Sequence, residues 1–308
     1  MQGPVLVAGG SGQLASALVA VSPFAAISIR RVGRPEFDFD RPADIAPLIR
    51  SLAPSAVVNA AAYTAVDAAE NDVEAALRAN RDGPALLATL CADAAIPLIH
   101  VSTDYVFDGN KGAPYAETDV TNPQGVYGRT KLEGEGAVLG AWPRSIVLRT
   151  SWVYSPVSTN FVLTMLNAAR RNGRLRVVAD QKGCPTAAAD LADAILTILA
   201  QMRRDGWQDD RGGGIYHAAG SGWTTWHGFA AAIFEEAGRH GFKAPILESI
   251  TTADWPTKAQ RPADSRLDCT RLAERFGVRL PPWRLSLART IETIFAGSNT
   301  APRSYASA

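Results

Sequence analysis

Tyr127-Gly128-Arg129-Thr130-Lys131 sets a phenol and an ammonium four residues apart, a spacing that on a helix brings both to one face. Such a pair can deliver a proton. A carbonyl that accepts hydride needs one at its oxygen, and a phenol with its ordinary pKa of about 10 is a slow donor at neutral pH unless a cation lowers that value. Lys131 is the cation at hand, and Thr103, within Val101-Ser102-Thr103-Asp104-Tyr105, offers a hydroxyl to the same oxygen. Tyr127, Lys131 and Thr103 are therefore the candidate catalytic residues. A surface tyrosine packed on a lysine stem is the competing reading of the first pair, and a polar loop cap that of Ser102 and Asp104.

A second constellation could hold the hydride donor. Gly10-Ser11-Gly12-Gln13-Leu14-Ala15 fits G-x-G-x-x-G/A, directly after the apolar run Pro4–Ala8 and ahead of a helical pattern, with Gly9 adding backbone freedom. Glycines there let amide N–H groups approach a pyrophosphate held at the positive end of the helix. About 20 residues on, an acidic side chain would take the ribose hydroxyls of the adenosine half. Here the predicted strand Ala26–Ile29 closes on Arg30-Arg31 instead, which suits a 2′-phosphate, with a solvated surface pair as the alternative. The expected cofactor is NADPH, with NADH possible.

These groups need a frame that brings them together. Short apolar runs recur at Pro4–Ala8, Ala26–Ile29, Ala56–Ala62, Pro97–Ser102 and Ser145–Thr150, separated by helical patterns at Leu14–Val21, Pro42–Leu52, Ala75–Ala95 and Gly128–Leu139. The alternation predicts an α/β fold, a doubly wound parallel (Rossmann) sheet that binds ligands at the carboxyl ends of its strands. After Trp152 the rhythm loosens, with helical patterns at Asn160–Arg171 and Ala188–Arg204 and a strand pattern at Leu175–Ala179. Residues 1–155 are read as the dinucleotide-binding domain, to which segments within about 187–220 return. Residues 156–186 and 221–297 are read as a smaller C-terminal substrate-binding lobe, and 298–308 as a flexible tail.

The 308 residues carry a formal net charge of +1, so the chain lacks the broad positive field that would favour nucleic acid or an anionic membrane. Cys91, Cys184 and Cys269 are odd in number and form no CxxC pair, which argues against a disulfide framework or a thiolate metal site and for a reducing cytoplasm. The chain enters its first strand-like run without the basic and apolar regions of a signal peptide, and no apolar stretch approaches the length of about 18 that a membrane helix needs. A cytoplasmic protein with neither nucleic-acid nor membrane partners is expected.

Seven segments carry a resemblance to known proteins: GGSGQL at Gly9–Leu14, VNAAAYTAVDAAE at Val58–Glu70, STDYVFDG at Ser102–Gly109, VYGRTKLEGE at Val126–Glu135, RTSWVY at Arg149–Tyr154, GCPTAAADLA at Gly183–Ala192 and RPADSRL at Arg261–Leu267. Through them the chain resembles the short-chain dehydrogenase/reductase superfamily and, within it, the dTDP-4-dehydrorhamnose reductase family, over nearly its whole length. The resemblance implies reduction of dTDP-4-dehydro-L-rhamnose to dTDP-L-rhamnose by NADPH or NADH, with Tyr127, Lys131 and Thr103 on the catalytic positions. It further implies Gly9, Gly12, Gln13, Leu14, Asp38, Phe39, Ala60, Ala61 and Ala62 around the cofactor, which Tyr127 and Lys131 also touch. Thr64, Val66, Thr103, Asp104, Tyr105 and Trp152 would surround the dTDP-sugar, with Asn160, Gln181 and Arg266 toward its diphosphate or nucleoside. For Trp152 a pocket wall is weighed against packing behind a core strand.

Departures from the family pattern carry expectations too. Ala15 stands where many relatives have glycine. Where some members bridge two subunits through a metal held by acidic residues, this chain has Ala17, Asp190 and Thr293, so no metal and a monomer or weak homodimer are expected. Two other functions stay open: a reductase of another dTDP-4-keto-6-deoxysugar, and a non-catalytic NADP-binding regulatory subunit similar to that of methionine adenosyltransferase.

Overall fold

The structure, a computed structural model, describes residues 3–204 and 212–299. The first half runs β1 (Val5–Ala8), α1 (Gln13–Ala25), β2 (Ile29–Val32), α2 (Pro42–Leu52), β3 (Ala56–Asn59), α3 (Val66–Ala69), α4 (Val73–Leu77), α5 (Gly83–Asp93), β4 (Leu98–Thr103), α6 (Val126–Ala141) and β5 (Ile146–Thr150). There follow β6 (Val153–Tyr154), α7 (Phe161–Arg171), β7 (Arg174–Val178), β8 (Lys182–Gly183), β9 (Thr186–Ala187), α8 (Ala188–Arg204) and β10 (Gly214–His217). The chain ends with β11 (Thr224–Thr225), α9 (Trp226–Gly238), β12 (Ile246–Ile250), α10 (Thr270–Phe276) and α11 (Trp283–Asn299).

Six strands form one parallel sheet in the order β10-β5-β4-β3-β1-β2. Because β2 and β3 flank β1 on opposite sides, the winding reverses there, and a crevice opens at the carboxyl ends of these strands. The inner strands place apolar residues on both faces because helices cover both, whereas the edge strand β2 exposes Arg30 and Arg31. Val5, Val7, Val58, Ile99 and Leu148 meet Leu14, Leu18, Leu191 and Ile195 of α1 and α8 on one side. Leu6, Val57, Leu98 and Val147 meet Ile45, Ile49, Leu87 and Val138 of α2, α5 and α6 on the other. A side chain of this size contributes about 1.5–3 kcal/mol when fully buried.

Two strands, β2 and β3, depart from the sequence expectation by more than one residue. α1 continues to Ala25 and is closed by Ala26 in the left-handed conformation (φ 51°), so β2 begins at Ile29 and Arg30 and Arg31 lie within it instead of closing it. β3 stops at Asn59, leaving residues 60–62 as loop. The expected long helix over Ala75–Ala95 is α4 and α5 joined by a five-residue π-helical turn, Arg78–Asp82.

The second lobe gathers α7, α9, α11 and the parallel pair β7 and β12 around Val162, Leu166, Phe229, Ile233, Leu287 and Ile291. α8 and β10 pack with the large sheet. α11 reaches Asn299, past the expected start of the tail, and residues 300–308 of that expectation lie outside the described residues. Among the described residues no helix is long and apolar enough to cross a membrane.

Candidate active site

The loop after β1 is shaped by backbone contacts that side chains would forbid. Gly10 adopts φ 53°, and a Cβ on Gly33 would lie 2.4 Å from Gly10 Cα, so the ends of β1 and β2 touch backbone to backbone. Gly12, in extended conformation, precedes α1 without any side-chain cap. The amide donors of the first helical turn are thus offered to an anion, as a dinucleotide pyrophosphate requires. Ala15 is buried within this turn, where its methyl is accommodated.

A cleft of about 1070 Å³ runs from this loop across the carboxyl ends of the strands. Gly9, Gly12, Gln13, Leu14, Asp38, Phe39, Ala60, Ala61 and Ala62 line it, and so do Thr64, Val66, Thr103, Asp104, Tyr105, Tyr127, Lys131 and Trp152. Arg30 and Arg31 do not. Arg30 is paired with Glu36 at 2.6 Å, and Arg31 donates to Ser16 Oγ at 3.2 Å. The cleft wall beyond β2 is instead Gly33, Arg34 and Phe37, with Arg34 paired to Asp38 at 3.0 Å and to Asp40 at 2.9 Å. Arg34 escaped the sequence reading because the strand ends later than its apolar run implies.

α6 carries Tyr127 and Lys131 against the end of β4. Its approach depends on Gly128, where a Cβ would stand 2.2 Å from Tyr105 O. Tyr127 consequently meets Tyr105 edge to face, ring centroids 5.7 Å apart. Thr103 Oγ1 accepts from Tyr105 N at 3.2 Å and donates to Asp104 Oδ1 at 3.0 Å. Burial pushes the Tyr127 phenol up to about 12, its hydrogen bond with Thr103 opposes the rise, and the Asp104 charge adds to it.

Lys131 is 1% exposed, and its Nζ donates to Val101 O at 2.6 Å and lies 3.5 Å from His100 Nε2. Burial brings its ammonium down to about 8 against the pull of Glu135. In the chain alone, burial, Thr103 and Asp104 are what shift the Tyr127 phenol. Beneath the pair, the buried Glu135 carboxylate accepts from Arg149 Nη2 at 2.6 Å and from Ser102 Oγ at 2.5 Å, so Ser102 is committed to α6.

Beyond β5 the chain turns at Trp152, a non-glycine residue with φ 49°. Its indole stacks on Trp226, and a Cβ on Gly183 would come within 2.3 Å of it, so β8 must pass without a side chain. Trp152 is thus both cleft wall and packing. Trp226, also in the cleft, was not found from sequence, since nothing in its local spacing marks it.

The family described as "RmlD substrate binding domain" matches residues 1–295. A dTDP-4-dehydrorhamnose reductase of Sinorhizobium fredii is 46% identical over 285 residues, 92% of this chain and 95% of that protein. The chain belongs to the dTDP-4-dehydrorhamnose reductase family. Among solved structures, a dTDP-4-dehydrorhamnose reductase from Clostridium acetobutylicum superposes with TM-score 0.87 at 31% identity, covering 94% of this chain and 99% of that one. One from Bacillus anthracis in complex with NADP gives 0.84 at 28% identity, covering 95% and 100%.

In this member of the reductase family, the three residues expected toward the diphosphate or nucleoside are engaged within the chain. Asn160 caps α7 by accepting from Leu163 N, and its Nδ2 donates to Ser155 O, Val157 O and Ser158 O, which shapes the loop that brings Ser158 and Thr159 to the cleft. Gln181 donates to Thr252 Oγ1. Arg266 is doubly bonded to Asp264 and lies over Trp223 rather than in the cleft. Asp190 accepts from Ser286 and from Arg289, Thr293 donates to Arg289 O, and the described residues contain no group of three or more His, Cys, Asp or Glu able to hold a metal.

Proposed function

We propose that this chain reduces the 4-keto group of dTDP-4-dehydro-L-rhamnose to dTDP-L-rhamnose with NADPH, and that Tyr127 delivers the proton. The carrying observation is the convergence of Tyr127 and Thr103 at the end of β4 in the same cleft as the uncapped N-terminus of α1. NADPH, when bound, supplies the hydride.

The chain's own residues do the rest. Gly9, Gly12, Gln13 and Leu14 would receive the pyrophosphate, Asp38, Phe39 and Ala60–Ala62 would line the dinucleotide's path, and Arg34 would serve the adenosine 2′-phosphate. Thr64, Val66, Asp104, Tyr105 and Trp152 wall the sugar. Thr103 orients the keto oxygen, and Tyr127 gives that oxygen its phenolic proton as hydride reaches C4. Lys131, with one N–H on Val101 O, has further donors for the nicotinamide ribose, and its charge, relayed through that ribose, would favour the phenolate of Tyr127 against the rise that burial imposes. The phenolate left behind recovers its proton from solvent.

The test is turnover of dTDP-4-dehydro-L-rhamnose with each nicotinamide cofactor, followed by identification of the sugar formed. Rapid NADPH oxidation yielding dTDP-L-rhamnose is expected. Faster turnover of a different dTDP-4-keto-6-deoxysugar would move the substrate assignment. A protein that NADPH stabilises against melting, but that no dTDP-sugar stabilises or oxidises it with, would be a cofactor-binding subunit instead.

A further inference from the structure

Two polar side chains lie behind Lys131 in the middle of the sheet, and the mechanism above uses neither. Asn59 of β3 and His100 of β4 are register partners, 1% and 0% exposed. Burying both is costly unless each polar atom has a partner. The partners form one chain. Ala61 N–H donates to Asn59 Oδ1 at 3.1 Å, which turns the amide so that Asn59 Nδ2 faces His100 Nδ1 at 3.1 Å. An amide N–H2 can only donate, so Nδ1 must accept. Burial, and next to it the Lys131 charge, keep the imidazole neutral. A neutral ring whose Nδ1 accepts carries its proton on Nε2, and Nε2 is the atom 3.5 Å from Lys131 Nζ.

His100 therefore shows Lys131 an N–H and no lone pair. Lys131 has three protons, and Val101 O takes one at 2.6 Å. A histidine of the opposite tautomer would take a second and draw the ammonium into the sheet. We infer that His100, its tautomer fixed by Asn59 and Ala61, is a positioning residue that withholds an acceptor from Lys131 and so leaves the lysine's free protons to the cofactor ribose in the cleft. The inference rests on the reading of Lys131 as a cofactor-binding residue. The groups around Lys131 fit this role: Tyr127 and Glu135 on its own helix, Thr103 and Asp104 at the end of β4, and Arg149 of β5 holding Glu135 away by its double hydrogen bond.

The tautomer can be read directly in the cofactor-free protein by nitrogen NMR of 15N-histidine, with four histidines to assign and the His100 signals found by their loss in His100→Gln. A protonated Nε2 and an unprotonated Nδ1 are expected across pH 6–9, and a protonated Nδ1 or an imidazolium overturns the inference whether or not any variant folds. The second arm measures the Kd for NADPH against pH by fluorescence, which needs no turnover. His100→Gln puts a carbonyl acceptor where Nε2 stood, so binding should weaken about three- to tenfold near pH 7 and its alkaline loss should move up by about half a pH unit or more. His100→Asn keeps an acceptor for Asn59 but does not reach Lys131, and should weaken binding less than Gln. Equal effects of the two substitutions, or a folded Gln variant with the wild-type profile, would make His100 a packing residue. A wild type that binds NADPH but reduces no dTDP-4-keto sugar would remove the functional reading and leave both of these measurements standing.

Discussion

The indole of Trp152 lies flat on that of Trp226, ring centroids 3.5 Å apart and planes 7° from parallel. Trp152 leaves β5 and Trp226 opens α9, so the stack joins the ligand-binding edge of the sheet to the second lobe. The left-handed backbone at Trp152 costs about 1–2 kcal/mol, which a stack worth about 0.5–1.5 kcal/mol and the surrounding packing offset. Trp226→Ala should raise KM for the sugar nucleotide about tenfold with little change in kcat, because a wall serves ground and transition states alike. Trp152→Ala should raise it further. Kinetics paired with thermal melts decide: a lower Tm at unchanged KM would assign both indoles to packing.

Tyr127→Phe removes a hydroxyl and little else. It should lower kcat by about two to four orders of magnitude and leave NADPH affinity nearly unchanged. Near-normal turnover would take the proton-donor role away from Tyr127.

Cofactor choice should respond to Arg34 and ignore Arg30 and Arg31, which are engaged by Glu36 and Ser16 outside the cleft. Arg34 is exposed and shares its charge with Asp38 and Asp40, so its contribution to NADPH preference should be modest, about three- to tenfold in kcat/KM. The preference should shrink as salt rises. The ratio of kcat/KM for NADPH and NADH in the three single alanine variants checks this, and a shift in Arg30→Ala that Arg34→Ala lacks would contradict it.

Asp104 makes stability depend on pH. Burial pushes its carboxyl up to about 7, opposed by hydrogen bonds with Ser265 and Thr103, and its Oδ2 has no hydrogen-bond partner. Because the native value lies above the unfolded one, the native state holds a proton that the unfolded chain releases near pH 4, and stability falls as pH rises from about 4 to about 7. The full effect, present above pH 7, is at most about 4 kcal/mol. Asp104→Asn should accordingly raise Tm at pH 8 and change it little at pH 4. A gain that does not grow with pH would mean that Asp104 ionises elsewhere.

Excess chelator should leave turnover intact, since a phenol in the role proposed for Tyr127 needs no Lewis acid and the Asp190 charge is answered by Arg289 and Ser286. Activity lost to chelator and restored by magnesium would contradict this.

Local features are legible in the residues alone. The glycine run ahead of α1 was legible because a tight turn and an anion-binding helix end need particular residues at fixed offsets, and the strand–helix alternation because apolar periodicity follows backbone geometry. Tyr127 and Lys131 could be paired because four residues make one helical turn. Features that depend on register and on the meeting of distant segments emerge only in the folded chain. Where α1 stops, at the left-handed Ala26, shifted β2 along the chain and exchanged Arg30 and Arg31 for Arg34 at the cleft. Strand register set Asn59 beside His100, and that pair beside Lys131, an alignment with no signature in either segment alone. Trp226 reaches the site because the second lobe folds back onto β5 and β8, and the contact that places it is made by residues far apart in sequence.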